Sequence, residues 1–344
     1  VKVLIAGGAG FIGSTIASCL IDAGHQPVIL DNLVTGRREF CEGRPFYEGD
    51  IADRAVVDRI FDEHPDILAV VHCAALIVVP ESVARPIHYY RENVAKTLEL
   101  VDHLLARGVT RLVFSSSASI YEPNDEFSVD ESSALAASSP YARTKLVVEQ
   151  MLTDITAATP LRVLSLRYFN PIGADPKMRT GLQITAPSHA LGKLIEAHRA
   201  GVPFRVTGTD YPTRDGSGIR DYVHVWDLAG AHLGALEVFD SLFADDRRYQ
   251  VINLGTGAGT TVLELVAAFN EVVDGTVTVE RAPRRPGDQA GAYTRSSRAA
   301  DLLGWRAEHS VADGIRDTLA WFAQREHVLP DLAGVSTRPG DRSA

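Results

Sequence analysis

The sequence predicts an α/β fold, a doubly wound parallel sheet followed in the chain by a smaller mixed α/β domain. Three observations predict it. Short, continuously apolar runs alternate with stretches of helical period through the first half, the pattern of parallel strands covered on both faces. A glycine-rich turn follows the first of those runs. After Asn170 the alternation gives way to a segment with Gly, Pro, Lys and Arg and no clear period.

Each element has its own signal. Val1–Ala6 reads as a buried strand, and the helix after the glycines runs to about Ala23. Pro27–Leu30 is the second strand, Asp53 to about Glu63 a helix, and Ile67–Val71 a strand. Pro86–Arg107 reads as a long helix that Gly108 ends, since glycine suits the residue just past a helix. Arg111–Ser115 is the next strand. Ser139 is an N-cap and Pro140 a first-turn proline, opening a helix to about Ile155, because proline lacks only an N–H that the first turn leaves unused. Leu161–Leu166 is again a strand. Residues 1–170 then form the first domain and 171–326 the second, which contains Phe204–Thr207, a Gly/Asp/Pro/Thr loop at 208–218, and Val251–Leu254. Its boundary is soft, and segments near 219–236 are candidates for a return to the first domain. Residues 327–344 are polar and are expected to be poorly ordered.

Composition excludes several classes. The 344 residues are 45% hydrophobic and 23% charged, enough for a large core and against disorder of the whole chain. A net charge of −10 repels a phosphate backbone, so nucleic acid is not expected as a partner. Cys19, Cys41 and Cys73 are widely spaced and resemble neither a disulfide framework nor a zinc site. They favour a reducing cytoplasm. The longest apolar stretch, Ile67–Val79, is interrupted by His72 and ends at Pro80, too short to cross a bilayer. No basic n-region or cleavage site is visible at the start of the sequence, so no membrane role is expected.

Gly7-Gly8-Ala9-Gly10-Phe11-Ile12-Gly13 joins the first strand to the first helix. Glycines there permit a tight turn, close approach of a pyrophosphate and close helix–strand packing, and the helix N-terminus attracts the anion. Asp31 ends the second strand, about twenty residues on, where a carboxylate accepts both ribose hydroxyls and repels a 2′-phosphate. The reading is an NAD-binding Rossmann domain. Arg37 and Arg38 argue weakly for NADP but read more simply as solvated loop charges. Asp50-Ile51 could flank adenine or be an ordinary turn.

Tyr141 and Lys145 lie four residues apart on a helix, hence on one face. An ammonium beside a phenol favours the phenolate, which can take a hydroxyl proton while hydride leaves the carbon. Ser115-Ser116-Ser117 stands at a strand end, where ligands of open α/β sheets bind, so Ser117 could hydrogen-bond the same oxygen. A helix-capping serine loop is the plainer alternative.

GGAGFIG, DNLVTG (31–36), FSSSASIY (114–121), PYARTKLVVEQ (140–150), LRYFNPIGADP (166–176), GTDYPTRDGSGIRDYVHVWDLA (208–229), INLGTG (252–257) and RRPGD (284–288) together resemble the extended short-chain dehydrogenase/reductases. Among these they are similar to the UDP-glucose (UDP-galactose) 4-epimerase family, from residue 1 to about 325. The resemblance implies NAD, a UDP-sugar substrate, commonly a homodimer, and C4 epimerisation through a 4-keto sugar that rotates before hydride returns. It makes Tyr141 the base, Lys145 its partner at the nicotinamide ribose and Ser117 an assistant. It places Gly7, Gly10, Phe11, Ile12, Gly13, Asp31, Asn32, Asp50, Ile51, Cys73, Ala74, Asn93, Ser115 and Tyr168 at the cofactor. Asn170, His189, Thr207, Arg220, Arg285, Asp288 and Ala292 fall to the substrate, the two arginines on the pyrophosphate.

Related dehydratases and decarboxylases carry acids where this chain has Ala118-Ser119. Departures from the epimerase pattern are Ala6, Ile77, Pro80, Glu122 and His189, and the first four bear on cofactor retention. Ala292 is small at the position that gates the sugar pocket, leaving room for an N-acetyl group. The resemblance therefore implies UDP-glucose/UDP-galactose first, UDP-GlcNAc/UDP-GalNAc second, and UDP-glucuronate third; Lys177 or Arg179 could supply the cation a carboxylate needs, but exposed loop charges are the better-supported reading of both. A catalytically silent NAD-binding regulator on the same fold is the alternative of another class.

Overall fold

The computed structural model describes residues 1–185, 187–284 and 289–332. A seven-stranded parallel sheet lies at its centre. In chain order its strands are β1 (Lys2–Ala6), β2 (Gln26–Asp31), β3 (Phe46–Glu48), β4 (Ile67–His72), β5 (Arg111–Ser117), β6 (Arg162–Tyr168) and β7 (Tyr249–Leu254). In space they run β7-β6-β5-β4-β1-β2-β3. The winding reverses between β1 and β4, which opens a crevice at the carboxyl ends of those strands.

Both faces of the sheet are covered. Val3, Ile5, Val71, Val113 and Leu164 pack under the helices Phe11–Asp22, Val225–Glu237 and Arg298–Leu303. Leu4, Val28, Val70, Leu112 and Val163 pack under Arg54–Glu63, Lys96–Ala106 and Pro140–Ala158. Burial on both sides is why these strands read as unbroken apolar runs. A third core gathers Leu191, Phe204, Tyr222, Phe269, Ile315 and Trp321. It lies among the helices Ala190–Ala200, Val262–Val272 and Val311–Val328, the strands Asn170–Ile172, Ile219–His224 and Gly259–Thr261, and the pair Phe204–Thr207 and Val279–Ala282.

The structure alters four expectations. Strand β5 continues past Ser115 to Ser117, with Ser115 and Ser116 buried; polar residues hide a strand end when buried partners satisfy them. The helical run from Pro86 contains a wider, π-helical turn at Arg91–Ala95. The strand placed at Val251–Leu254 in the second domain is the edge strand β7 of the central sheet, paired with β6. The residues after His327 are not all tail: the helix runs to Val328, and Leu329 and Leu332 are buried in the third core. Residues 333–344 of the expected tail lie outside the described residues. Among the described residues no helix is long and apolar enough to cross a membrane.

Candidate active site

The crevice is lined first by the glycine turn. Gly7 has φ +81°, and a Cβ there would stand 2.4 Å from the Ala74 nitrogen; one on Gly13 would stand 2.3 Å from the Gly7 carbonyl oxygen. Side chains are thus excluded where the turn meets the end of β4. Gly10 caps the helix Phe11–Asp22 without a side-chain hydrogen bond, so the first N–H groups of that helix are open to an anion. Phe11 and Ile12 pack on the third and first cores respectively.

Asp31 is 8% exposed at the end of β2. Its two carboxylate oxygens accept the N–H groups of Ala9 (3.0 Å) and Leu33 (2.8 Å). Burial raises its pKa, and those backbone bonds pull it back. Each oxygen retains a lone pair for a ribose hydroxyl. Arg37 is paired with Glu39 and Asp331, and Arg38 with Glu48, so both guanidinium groups are already engaged by carboxylates. Asn32 accepts from the Val34 N–H at 3.2 Å. Asp50 is held by Lys96 at 2.5 Å and by the Ala52 N–H at 2.9 Å, and Ile51 is buried beside it.

Cys73 and Ala74 both donate backbone N–H groups to the Ala6 carbonyl, at 2.7 and 2.9 Å. Burial pushes the Cys73 thiol up to about 11. Asn93 sits in the π-helical turn and clasps the loop after β4: its amide accepts from Leu76 N–H (2.8 Å) and donates to Leu76 O (2.9 Å) and Thr144 Oγ1 (3.1 Å).

Ser117 ends β5, and Tyr141 and Lys145 occupy the first turns of the helix Pro140–Ala158, which Ser139 caps through the Ala142 N–H at 3.1 Å. Lys145 donates to the Ser115 carbonyl at 2.7 Å and lies over the Phe114 ring, 5.0 Å from its centroid. Burial draws the ammonium down to about 8, against the opposing pull of Cys73 and Glu149. Burial also raises the Tyr141 phenol above its usual value, and the Ser117 hydroxyl pulls it partly back. The ammonium and the phenol thus stand on the same end of the helix, with Lys145 anchored at the Ser115 carbonyl and Tyr141 facing the Ser117 hydroxyl. Tyr168 turns its hydroxyl inward to Ser115 Oγ (2.8 Å) and to His232 Nε2.

On the substrate side, Asn170 opens the short strand after β6 and pairs with Tyr222. Thr207 ends its strand opposite Ala282. The Arg220 guanidinium lies on the carbonyls of Ile219 (2.7 Å) and Ala290 (2.5 Å). His189 caps the helix Ala190–Ala200, its Nδ1 accepting the Gly192 N–H at 3.1 Å, and burial lowers its pKa to about 4. The imidazole is therefore neutral there, a point the sequence left open. Ala292 packs with Ala118 against Tyr121, Val129 and Phe169. Arg285 and Asp288 lie outside the described residues.

Lys177 and Arg179 do not serve the site. Both pair with Asp22, the last residue of the helix Phe11–Asp22 and so at the far end from the glycine turn, and Arg179 also pairs with buried Asp175. Sequence reasoning missed Ser116, Glu149 and Arg167, which form a buried cluster behind the reacting groups. A glutamate one turn beyond Lys145 and an arginine inside an apolar strand were the available signals.

A dinucleotide crevice opening onto a Ser–Tyr–Lys constellation defines a nucleotide-dependent enzyme of the Rossmann type. The chain belongs to the NAD dependent epimerase/dehydratase family, which matches residues 3–255. A UDP-glucose 4-epimerase of Rhizobium leguminosarum bv. trifolii is 41% identical over 329 residues, covering 94% of this chain and 97% of that protein. A solved UDP-glucose-4-epimerase of Stenotrophomonas maltophila, with bound NAD and formylated UDP-arabinopyranose, superposes with TM-score 0.89 at 39% identity, covering 95% and 99% of the two chains. That of Bifidobacterium longum, in complex with NAD+ and UDP, gives 0.87 at 34% identity, covering 95% and 100%.

Proposed function

We propose that the chain is an NAD-dependent UDP-hexose 4-epimerase interconverting UDP-glucose and UDP-galactose. The carrying observation is the convergence of Ser117, Tyr141 and Lys145 at strand carboxyl ends beside a side-chain-free glycine turn, in a chain 41% identical to a UDP-glucose 4-epimerase. In this reading the central sheet within residues 1–170 supplies the cofactor site, and the elements around the third core, after residue 170, supply most of the sugar-nucleotide site.

The cradle fits NAD: the turn admits a pyrophosphate, the uncapped helix faces it, and Asp31 meets a ribose. Neutralised Arg37 and Arg38 offer a 2′-phosphate little. When bound, NAD supplies a reversible hydride acceptor for C4 of the sugar. Tyr141 takes the O4 proton and later returns it, Ser117 hydrogen-bonds the same oxygen, and Lys145 supplies positive charge beside them. Arg220 grips the UDP diphosphate, so the 4-keto sugar turns while its anchor stays. Either face of C4 would thereby be open to reduction, and the bound cofactor would not be consumed.

The second reading is a UDP-GlcNAc/UDP-GalNAc 4-epimerase, favoured by Ala292, whose methyl group borders the Ala118–Phe169 wall. The uronate reading loses its cation to Asp22 and Asp175. Purified protein is to be incubated with UDP-galactose and UDP-GalNAc, with and without NAD+, and the products separated by anion exchange. Conversion to the gluco epimer is expected, with a loss of about 10²–10⁴-fold in Tyr141→Phe. NAD retained without turnover of either sugar would instead identify a silent binder.

A homodimer and a cytoplasmic setting complete the proposal. Val83 in the short helix Val79–Ala84, and Ile87 and Leu98 in the helical run that starts at Pro86, are 63%, 74% and 46% exposed, and exposed large apolar side chains are what an interface covers. Sedimentation is expected to give a dimer for the parent and a monomer for Ile87→Arg/Leu98→Arg; a dimeric variant would remove this face from the interface. Three free cysteines suit a reducing compartment.

A further inference from the structure

Glu149 and Arg167 are each 4% exposed. Arg167 donates through Nε to one Glu149 oxygen at 3.0 Å and through Nη2 to the other at 2.6 Å, a two-point fork that fixes orientation as well as distance. The Ser116 hydroxyl donates to the same carboxylate at 2.5 Å. Arg167 Nη1 donates to the Tyr121 hydroxyl at 2.8 Å, which donates to Asn253 Oδ1 at 2.6 Å. The cluster ties the helix Pro140–Ala158 to β5, β6 and β7 at once.

A buried ion pair gains little stability over apolar packing of the same shape, so stability alone does not account for it. Its members adjoin the reacting groups in sequence. Ser116 stands between Ser115 and Ser117, Arg167 precedes Tyr168, and Glu149 lies one turn past Lys145 and two past Tyr141 on the same face.

We propose that Glu149, Arg167 and Ser116 are positioning residues that lock the Tyr141–Lys145 helix against the strand ends carrying Ser115, Ser117 and Tyr168, so that the proton-handling groups meet the sugar in one geometry. The proposal rests on the epimerase reading. The test compares the parent with Glu149→Met/Arg167→Met, which leaves no unpaired buried charge, and with Ser116→Ala, which keeps the ion pair. Melting temperature, kcat and KM for UDP-galactose are measured, together with the rate at which Lys145 is reductively methylated, read by peptide mass spectrometry with half-exposed Lys193 as control.

In the double variant the melting temperature is expected to stay near the parent's while kcat falls at least about tenfold with KM within about twofold, as misplacement of reacting groups predicts. Lys145 labelling should rise about fivefold or more through local opening, with Lys193 unchanged. Ser116→Ala should show the same pattern at about two- to fivefold. Parental kcat and parental Lys145 labelling in whichever variants fold would make the cluster merely structural and overturn the proposal. A parent that turns over no UDP-hexose defeats the epimerase reading instead, and Lys145 labelling then decides the clamp by itself.

Discussion

Ala292 contributes one methyl group to a wall it shares with Ala118, Tyr121, Val129 and Phe169. Ala118 directly follows Ser117, so this wall borders the reacting end of the site. In the UDP-GlcNAc/UDP-GalNAc reading, an aromatic ring at 292 fills the space an N-acetyl group needs. Ala292→Tyr is expected to lower kcat/KM for UDP-GalNAc by about 10–100-fold and to leave UDP-galactose within about threefold, the range pocket contacts command. Competition between the two sugars in one reaction measures the ratio, and an unchanged ratio removes Ala292 as the gate. His189 shows the opposite relation of residue to role. From sequence its imidazole could be neutral or charged; in the structure its Nδ1 accepts a backbone N–H and burial holds its pKa near 4. In the proposed reading the positive charge for the diphosphate falls to arginine, with Arg220 the described candidate.

At the scale of elements, the glycine turn is where sequence and structure agree most directly, because a spacing dictates a shape. Gly7→Ala puts a Cβ 2.4 Å from the Ala74 nitrogen in a backbone with φ +81°. Neither the strain nor the collision can relax without moving the end of β4. The variant is expected to lose about 1–3 kcal/mol of stability and most of its NAD, checked by urea unfolding and by cofactor content after gel filtration; full NAD content would show that the turn yields. The elements that spacing dictates, namely alternating apolar runs, the Ser139–Pro140 helix start and the Tyr141/Lys145 face, were legible for this reason. What was not legible depends on long-range partners. That Ser116 and Arg167 extend buried strands follows from Glu149, which lies 33 residues from one and 18 from the other. The pairing of β7 with β6 brings together segments 84 residues apart at the Ser165–Tyr249 contact, and local pattern carries no trace of it. The engagement of Lys177 and Arg179 by Asp22 was hidden in the same way.

For the molecule as a whole, the buried histidines set the response to acid. His72 and His232 are 1% and 0% exposed. Burial lowers their pKa values to about 3 and about 4, well below an unfolded value near 6.5. Between those limits the unfolded chain binds protons that the folded chain refuses. The stability they contribute is therefore present above about pH 6.5 and lost as the pH falls toward 4, at about 3 kcal/mol for each imidazole by pH 4.5. Carboxylates with depressed pKa values, such as Asp130 at about 2, lose their contribution only at still lower pH, so the two effects separate. His72 bonds Thr97 at 2.8 Å through Nε2 and lies against the Phe114 ring, while its Nδ1 finds no hydrogen-bond partner among the described residues. A leucine can take that volume without titrating. Urea unfolding at pH 7.5 and 4.5 is expected to show His72→Leu losing about 3 kcal/mol less than the parent between the two conditions; equal losses would clear His72 as a trigger. Its position makes the outcome functional as well as thermodynamic. His72 immediately precedes Cys73 at the end of β4, and His232 holds the Tyr168 hydroxyl, so their protonation strikes the floor of the site itself. Activity and fold should accordingly fall in the same pH window, with turnover failing no later than unfolding.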